Sequence, residues 1–176
     1  GPLADNAQAA LGGWAAEGRA AEAISVRAGI RGALGNSTQL IYARGAPVDT
    51  VDTTGFAVAR SAASRADAIV LVLGETEART GEASNQASIE LPGSQVALAR
   101  AVLRAARGNG SAGSKPVVVV LMNGRPLAIH DLDREAPANV ESWFPGSQHG
   151  AAVAHVPVRD YNPGGKLPST FPRATG

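Results

Sequence analysis

The stretch AIVLVL at residues 68–73 and the stretch VVVVLM at residues 117–122 decide the fold of this chain. Both are continuous apolar runs of strand length, without the alternation of apolar and polar residues that marks a half-buried strand. Strands of a parallel sheet are covered by helices on both faces, so their sequences are apolar throughout. The two runs therefore predict two strands of a parallel sheet.

Two Ala-rich segments beside these runs predict helices. Residues 93–107 lie between the runs, and Arg104 and Arg107 stand in the last turn, where the helix dipole favours cations. Residues 56–65 precede the first run. The order helix, strand, helix, strand implies βαβ units with right-handed crossovers. The predicted fold class is therefore α/β: a three-layer sandwich with a mostly parallel sheet flanked by helices, in a flavodoxin-like arrangement.

Shorter elements are predicted along the rest of the chain. Further strands are expected at residues 23–26, 38–43 and 139–144. Short helices are expected at residues 7–17 and 147–156. The tail from residue 161 contains three prolines and two adjacent glycines, and is expected to be irregular and extended. Because there is no internal repeat or linker, residues 1–176 are expected to form one domain.

The composition argues against several classes of function. The 16 basic and 15 acidic residues leave a net charge of +1, and the basic residues are scattered singly. Such a surface offers no electrostatic footprint for nucleic acid or an anionic membrane. No apolar run reaches the roughly 18 residues that span a bilayer. The lack of cysteine excludes disulfides, thiolate nucleophiles and cysteine-based metal sites. Neither nucleic acid nor a membrane is expected as a partner.

Three familiar motifs are absent or misplaced. Residues 108–113, GNGSAG, match the spacing of a dinucleotide-binding loop, but they follow a predicted helix and precede a strand. Phosphate binding at a helix N-terminus needs the reverse order. None of the three histidines, His130, His149 and His155, has a second ligand at helical spacing. A Gly-x-Ser-x-Gly nucleophile elbow is also absent. The sequence predicts neither a cofactor nor a metal site.

The acidic loop (residues 74–91) is the segment that most favours a functional site. It follows the carboxyl end of the first predicted strand, where doubly wound sheets place their ligand crevices. It is about three times as long as a usual βα connection. It contains four glutamates and one arginine: Glu75, Glu77, Glu82, Glu90 and Arg79. A desolvated glutamate in a cleft can act as a general acid. The alternative, a solvated acidic loop without chemistry, stays open on pattern alone.

The order of motifs along the chain resembles a known family. The matching segments are GPLADN (1–6), LGGW (11–14), ADAIVLVLGE (66–75), TGEAS (80–84), IELPGSQ (89–95), NGRPL (123–127), WFPG (143–146), DYNPGGKLP (160–168) and FPR (171–173). Together they resemble the C-terminal α/β-sandwich domain of family 3 glycoside hydrolases of the β-glucosidase type. Each segment alone is weakly specific, whereas the ordered set covers almost the whole chain.

The resemblance implies a role in a two-domain retaining glycosidase. In that family an N-terminal (β/α)8 barrel carries an Asp nucleophile and most sugar contacts, and the second domain reaches over the mouth of the barrel. In many members the acidic loop of the second domain lends the general acid/base. The match of TGE at 80–82 implies this role for Glu82, with Glu77 as its rival. Glu75 is expected to bind its own loop, through Arg79.

The resemblance also sets expectations for the whole protein. The chain is expected to be a piece of a longer, exo-acting β-glucosidase, whose substrate is a β-glucoside or oligosaccharide and whose partner is the N-terminal barrel of the same enzyme. Residues 1–176 alone are expected to be inactive. A periplasmic or secreted location follows by analogy. The alternatives are a stand-alone flavodoxin-like binding module, and a truncated product in which the loop around Glu82 is poorly ordered.

Other motif residues are expected to be structural. Gly124 would permit the turn after the second strand, and Arg125 is expected to bind loop carbonyls. Trp143 is a candidate sugar platform, although a place in the core is the favoured interpretation. Asp131 and Asp133 resemble the caps of a helix start rather than catalysts.

Two positions depart from the family's pattern. The segment PVRDY at 157–161 replaces the usual Leu-Phe-Gly-Asp-Tyr type of segment. Because Pro157 cannot continue helical hydrogen bonding, the last helix is expected to stop near His155. His149 stands where a small residue is common. These departures concern local packing.

Overall fold

The computed structural model describes residues 1–108, 113–158 and 161–176. Its sheet contains the two predicted strands, β1 (Ile69–Gly74) and β2 (Val117–Met122), paired in parallel. The shorter β3 (Asn139–Glu141) lies parallel to β2 on its other side, so the sheet order is β1-β2-β3. Four residues of the GNGSAG motif, 109–112, lie outside the described residues, as do residues 159–160.

Helices cover both faces of this sheet. The described α-helices are α1 (Ala7–Leu11), α2 (Val26–Ala33), α3 (Phe56–Arg65), α4 (Gln95–Arg107), α5 (His130–Glu135) and α6 (His149–His155). Short 3-10 helices are found at Ala20–Glu22 and Glu77–Arg79. The helices α3, α4 and α6 confirm predicted ones, and α6 ends before Pro157 as expected. α1 is shorter than the predicted helix, because Gly12 ends it in the left-handed region, at φ 71°.

The core consists of two layers, one on each face of the sheet. Alternate strand residues, such as Leu71, Val119 and Leu121, pack against α3, α4 and α5. The residues between them, such as Val72 and Val120, pack against α1, α2 and α6. Both faces of the strands are therefore buried, which is why their sequences are apolar throughout. The predicted three-layer α/β sandwich is confirmed.

The free edge of β1 faces an extended segment that is not a strand. Residues 38–43 were expected to pair in the sheet, but the structure separates them from β1 by a cavity of about 580 Å³. At one end of the cavity Gly1 lies between the two: its N–H group donates to Ala43 O at 3.0 Å. On its other side, a Cβ at Gly1 would stand 2.1 Å from Val72 O. Gly1 thus occupies the place beside Val72 that a pairing strand would need, and residues 38–43 are not assigned to a strand.

The weak strand predicted at residues 23–26 is wrong, because this segment starts a helix. The Ser25 side chain accepts a hydrogen bond from the Ala28 N–H group at 3.2 Å and caps α2. Val26, Gly29 and Ile30 form the buried face of α2. Neither α2 nor α5 was among the predicted helices, although Asp131 and Asp133 do occupy the first turn of α5. None of the helices in the described ranges is long and apolar enough to cross a membrane.

Candidate active site

The carboxyl edge of the sheet carries one polar side chain from each strand. Glu75 follows the last residue of β1, Asn123 follows β2, and Glu141 ends β3. Glu75 and Asn123 are fully buried. Because parallel strands end at the same edge, these groups lie on the edge where such sheets commonly bind ligands.

Glu75 is held by two arginines. Arg125 donates from Nε to one carboxylate oxygen at 3.0 Å and from Nη2 to the other at 2.6 Å, and Arg79 Nε donates to the second oxygen at 3.3 Å. The predicted contact of Glu75 with Arg79 is therefore present. The expectation that Arg125 binds loop carbonyls is wrong: its guanidinium matches the planar carboxylate of Glu75, which needs a charged partner where no water reaches it.

Gly124 serves close packing rather than an unusual backbone angle. It does not appear among the residues with positive φ. A Cβ at this position would stand 2.6 Å from Oγ1 of Thr80 and 3.0 Å from the Phe144 ring. The turn after β2 therefore packs directly against Thr80 of the acidic loop. A side chain at Gly124 would push that loop away.

Glu141, at this edge, and His149, the first residue of α6, are titratable groups whose pKa values burial shifts. Burial raises the pKa of Glu141 to about 7, against the hydrogen bonds from the Trp143 N–H group (2.9 Å) and the Asn123 amide (3.2 Å). Burial also lowers the pKa of His149 to about 4. The Ser142 hydroxyl donates to Leu121 O at 2.7 Å, so it accepts from His149 Nε2–H at 3.1 Å. His149 is thus neutral and carries its proton on Nε2.

The acidic loop is cross-linked at its base. Arg79 Nη2 donates to Gln86 Oε1 at 2.7 Å, and the Ser84 hydroxyl donates to Ala78 O at 3.1 Å. Both bonds join the two limbs of the loop on either side of Glu82. The backbone turns at Gly81, with φ 108°, and at Ala83, with φ 62°. Glu82 therefore stands at the tip of a closed loop.

Two of the four glutamates face one small pocket. It has a volume of about 180 Å³, and Glu77, Glu82, Thr80 and Trp14 are among the residues that line it. The Glu82 side chain is exposed, and no hydrogen bond or ion pair joins its carboxylate to the described part of the chain. One oxygen of Glu77 is buried without a hydrogen-bond partner. Trp14 as a residue is 79% exposed.

The arrangement suits proton transfer to a ligand that enters from outside. An exposed carboxylate without a protein partner is free to bind or protonate an external oxygen, and an exposed tryptophan gives an apolar face to the same pocket. Glu75 lies below, neutralised by its arginines. Glu90 is exposed and does not line the pocket.

Residues 1–176 match the family model of the glycosyl hydrolase family 3 C-terminal domain. The chain belongs to this family. The periplasmic beta-glucosidase of Salmonella typhimurium is 40% identical over 196 aligned positions, which cover 100% of this chain and 25% of that protein. A beta-xylosidase of Formosa agariphila is 39% identical over 153 positions, covering 87% of this chain and 20% of that protein.

Solved structures of family 3 enzymes have the same fold as this domain. The crystal structure of the Listeria innocua beta-glucosidase in complex with glucose superposes with a TM-score of 0.86 at 33% identity. It covers 99% of this chain, which corresponds to 22% of that one. The family 3 C-terminal domain described here thus spans a quarter or less of the length of these relatives.

The two tryptophans of this family 3 domain have different surroundings, and Trp14 is the one that lines the pocket. Trp143 is half-buried at φ 53°, and its ring lies 5.8 Å from that of Phe171 in the C-terminal tail. It packs in the protein, as its favoured interpretation predicts, and does not line the pocket. Trp14 lines the pocket, although the sequence indicates it only as part of the LGGW motif. No periodic pattern could have placed it beside a loop that begins sixty residues further along the chain.

Proposed function

We propose that this domain supplies the general acid/base of a retaining, exo-acting β-glucosidase, and that Glu82 is that residue. One observation carries the proposal: at the carboxyl edge of the sheet, a closed loop presents Glu82 exposed and unpaired beside Trp14 in one pocket. Membership of family 3 and the β-glucosidase and β-xylosidase relatives support the reaction class.

The proposed chemistry has two steps. In the first, Glu82 protonates the glycosidic oxygen while an Asp of a (β/α)8 barrel domain attacks the anomeric carbon and forms a covalent glycosyl-enzyme. In the second, the Glu82 carboxylate takes a proton from water, which attacks the anomeric carbon and releases the sugar. A retaining mechanism places the two carboxyl groups roughly 5–5.5 Å apart, so the pocket would face the mouth of the barrel across a shared cleft.

The surroundings of the other glutamates favour Glu82 over them. Glu75 is fully buried and its charge is neutralised by two arginines, so it cannot reach a substrate. Glu77 shares the pocket, but one of its oxygens is already buried in the protein. Glu90 is exposed outside the pocket. Of the four, Glu82 alone is both exposed and in the pocket.

The rest of the proposal concerns the complete protein. The partner is the N-terminal barrel domain of the same enzyme, since the relatives are four to five times longer than this domain. The substrate is a β-glucoside or a β-linked oligosaccharide, whose leaving group can pack on the exposed face of Trp14. The enzyme acts in the periplasm or outside the cell, by analogy with the relative that is named periplasmic.

Leaving-group dependence in the full-length enzyme tests the role of Glu82. We expect Glu82→Ala to lower kcat/KM for an alkyl β-glucoside by about 10²–10⁴-fold, because this leaving group needs a proton. The loss should be far smaller for 2,4-dinitrophenyl β-glucoside, whose leaving group needs none. Glu77→Ala and Glu90→Ala are matched controls on the same loop. An equal loss for both substrates in Glu82→Ala, or the selective loss in Glu77→Ala instead, would refute the assignment.

A further inference from the structure

The cross-links at the base of the acidic loop point to a further residue for the proposed reaction. We propose that Arg79 is a positioning residue, which fixes the place of Glu82 by tying the loop tip (residues 80–85) to the carboxyl edge of the sheet. The inference rests on the proposed role of Glu82. Arg79 itself does not line the pocket, so it acts through the loop and not on the substrate.

The hydrogen bond to Gln86 closes the loop tip. Arg79 is the last residue of the 3-10 helix, and its Nη2 donates to Gln86 Oε1 at 2.7 Å. This one bond therefore spans all six residues of the tip, with Glu82 in the middle. The Ser84 hydroxyl, at 3.1 Å from Ala78 O, gives the only other side-chain bond between the two limbs among the described residues.

The other side of the Arg79 guanidinium is anchored in the sheet. Its Nε lies 3.3 Å from Oε1 of Glu75 and 3.5 Å from Oδ1 of Asp49. Glu75 is in turn fixed by both nitrogens of Arg125 and by its own N–H group, which donates to Met122 O at 2.8 Å. The loop tip is thus connected through Arg79 to the ends of β1 and β2.

The position of Glu82 depends on this connection, because its own side chain makes no hydrogen bond or ion pair with the described part of the chain. No bond from the carboxylate to the described chain restrains it, so the backbone of the tip alone determines where it stands. A catalytic group that is misplaced by about 1 Å can lose a factor of about 10² in rate. A lysine could keep the charge of Arg79, but it lacks the planar fork that reaches Glu75 and Gln86 at once.

The test is Arg79→Lys in the full-length enzyme, with the same two substrates. We expect kcat/KM to fall by about 10- to 100-fold for the alkyl β-glucoside and to stay within about 3-fold for 2,4-dinitrophenyl β-glucoside. Gln86→Ala should show a weaker effect in the same direction. The matched control is Arg100→Lys, since Arg100 also pairs with two carboxylates, Asp131 and Glu135, but on the distant helices α4 and α5.

The leaving-group contrast separates positioning from general damage to the fold. The inference is wrong if Arg79→Lys lowers kcat/KM equally for both substrates, or for neither. It is also wrong if Arg100→Lys shows the same difference between the two substrates. If Glu82→Ala shows the contrast and Arg79→Lys does not, only this inference fails. If Glu82→Ala shows no contrast, the proposed function fails and this inference fails with it.

Discussion

The four glutamates of the acidic loop lie in four different surroundings, and their surroundings determine what each can do. Glu75 is buried in an ion pair, Glu77 is partly buried, Glu82 is exposed in the pocket and Glu90 is exposed outside it. A carboxylate with two guanidinium partners is a structural group, whereas one without a partner can exchange a proton with a ligand.

The ion pair at Glu75 predicts a large loss of stability when its charge is removed. We expect Glu75→Gln to lower the free energy of unfolding by about 3–5 kcal/mol, because it leaves the Arg125 guanidinium without its buried counter-charge. Urea unfolding measures this change. In the control Glu90→Gln, on the exposed end of the same loop, we expect a change within about 0.5 kcal/mol. Equal stability of the two variants would show that the pair contributes little.

Glu141 and His149 predict opposite pH dependences. The folded-state pKa of Glu141 is raised from 4.5 to about 7. Its contribution to the free energy of unfolding is therefore fully present below pH 4.5 and is lost as the pH rises to 7. The folded-state pKa of His149 is lowered from 6.5 to about 4, so its contribution is present above pH 6.5 and is lost as the pH falls to 4. In the wild type, the two groups therefore change the free energy of unfolding in opposite directions as the pH varies between 4.5 and 6.5.

Single substitutions separate these two contributions. Relative to wild type, the free energy of unfolding of Glu141→Gln should rise with pH between 4.5 and 7, and that of His149→Gln should fall with pH between 4 and 6.5. Urea unfolding at a series of pH values measures both. Parallel curves for wild type and variant would contradict the burial-driven shifts.

At the scale of elements, α2 and α6 cross at two glycines. A Cβ on Gly29 would stand 1.9 Å from Gly150 O, and a Cβ on Gly150 would stand 2.0 Å from Ser25 O. Both neighbours are backbone atoms, which cannot turn aside as a side chain can. The two helices can therefore approach this closely only while both positions remain glycine.

This crossing predicts that replacing glycine by alanine has opposite effects on stability at two positions of α2. We expect Gly29→Ala to destabilise the domain by about 2 kcal/mol or more, because the methyl group forces α2 and α6 apart. Gly32→Ala is the matched control: a Cβ there meets nothing within 4 Å, and alanine gains up to about 1 kcal/mol of helix propensity over glycine. Thermal unfolding of both variants measures the difference. A stabilised Gly29→Ala would show that the helices can separate at little cost.

The elements also show what local pattern can predict. The strands β1 and β2 and the helices α3 and α4 have regular patterns of their own, so the sequence predicts them within one or two residues. Residues 38–43 have a strand-like sequence, but a strand also needs a neighbour at hydrogen-bonding distance, and here a cavity intervenes. The helix α2 has a strongly amphipathic sequence, with Val26, Gly29 and Ile30 on its buried face, so its periodicity could have predicted it.

The sequence predicts only those features of the site that lie within one short segment of the chain. The loop, its place after β1 and the contact of Glu75 with Arg79 all lie within one short segment. The pairing of Glu75 with Arg125 joins residues 50 positions apart, and Trp14 comes from a different part of the chain. Such contacts depend on how the elements pack. The choice of Glu82 among four glutamates depended on the family's motif, and it stays a prediction, since the pocket is lined by both Glu82 and Glu77.

At the scale of the whole molecule, the proposed mechanism assigns this domain half of a catalytic pair. It contributes the exposed carboxylate of Glu82, and the proposed nucleophile belongs to a barrel outside this chain. We therefore expect residues 1–176 alone to show no hydrolysis of 4-nitrophenyl β-glucoside above the rate without protein, as measured by nitrophenolate release. Turnover by the isolated chain that is lost in Glu82→Ala would place the complete site within this domain.

Azide rescue in the full-length enzyme tests the central claim most directly. Azide can attack the glycosyl-enzyme without a general base. With 2,4-dinitrophenyl β-glucoside, azide should raise the turnover of Glu82→Ala by about 10-fold or more, since general-base catalysis is worth at least that much. NMR of the product should show the β-glucosyl azide. No rescue of Glu82→Ala, rescue of Glu77→Ala instead, or an α-glucosyl azide would contradict Glu82 as the acid/base of a retaining enzyme.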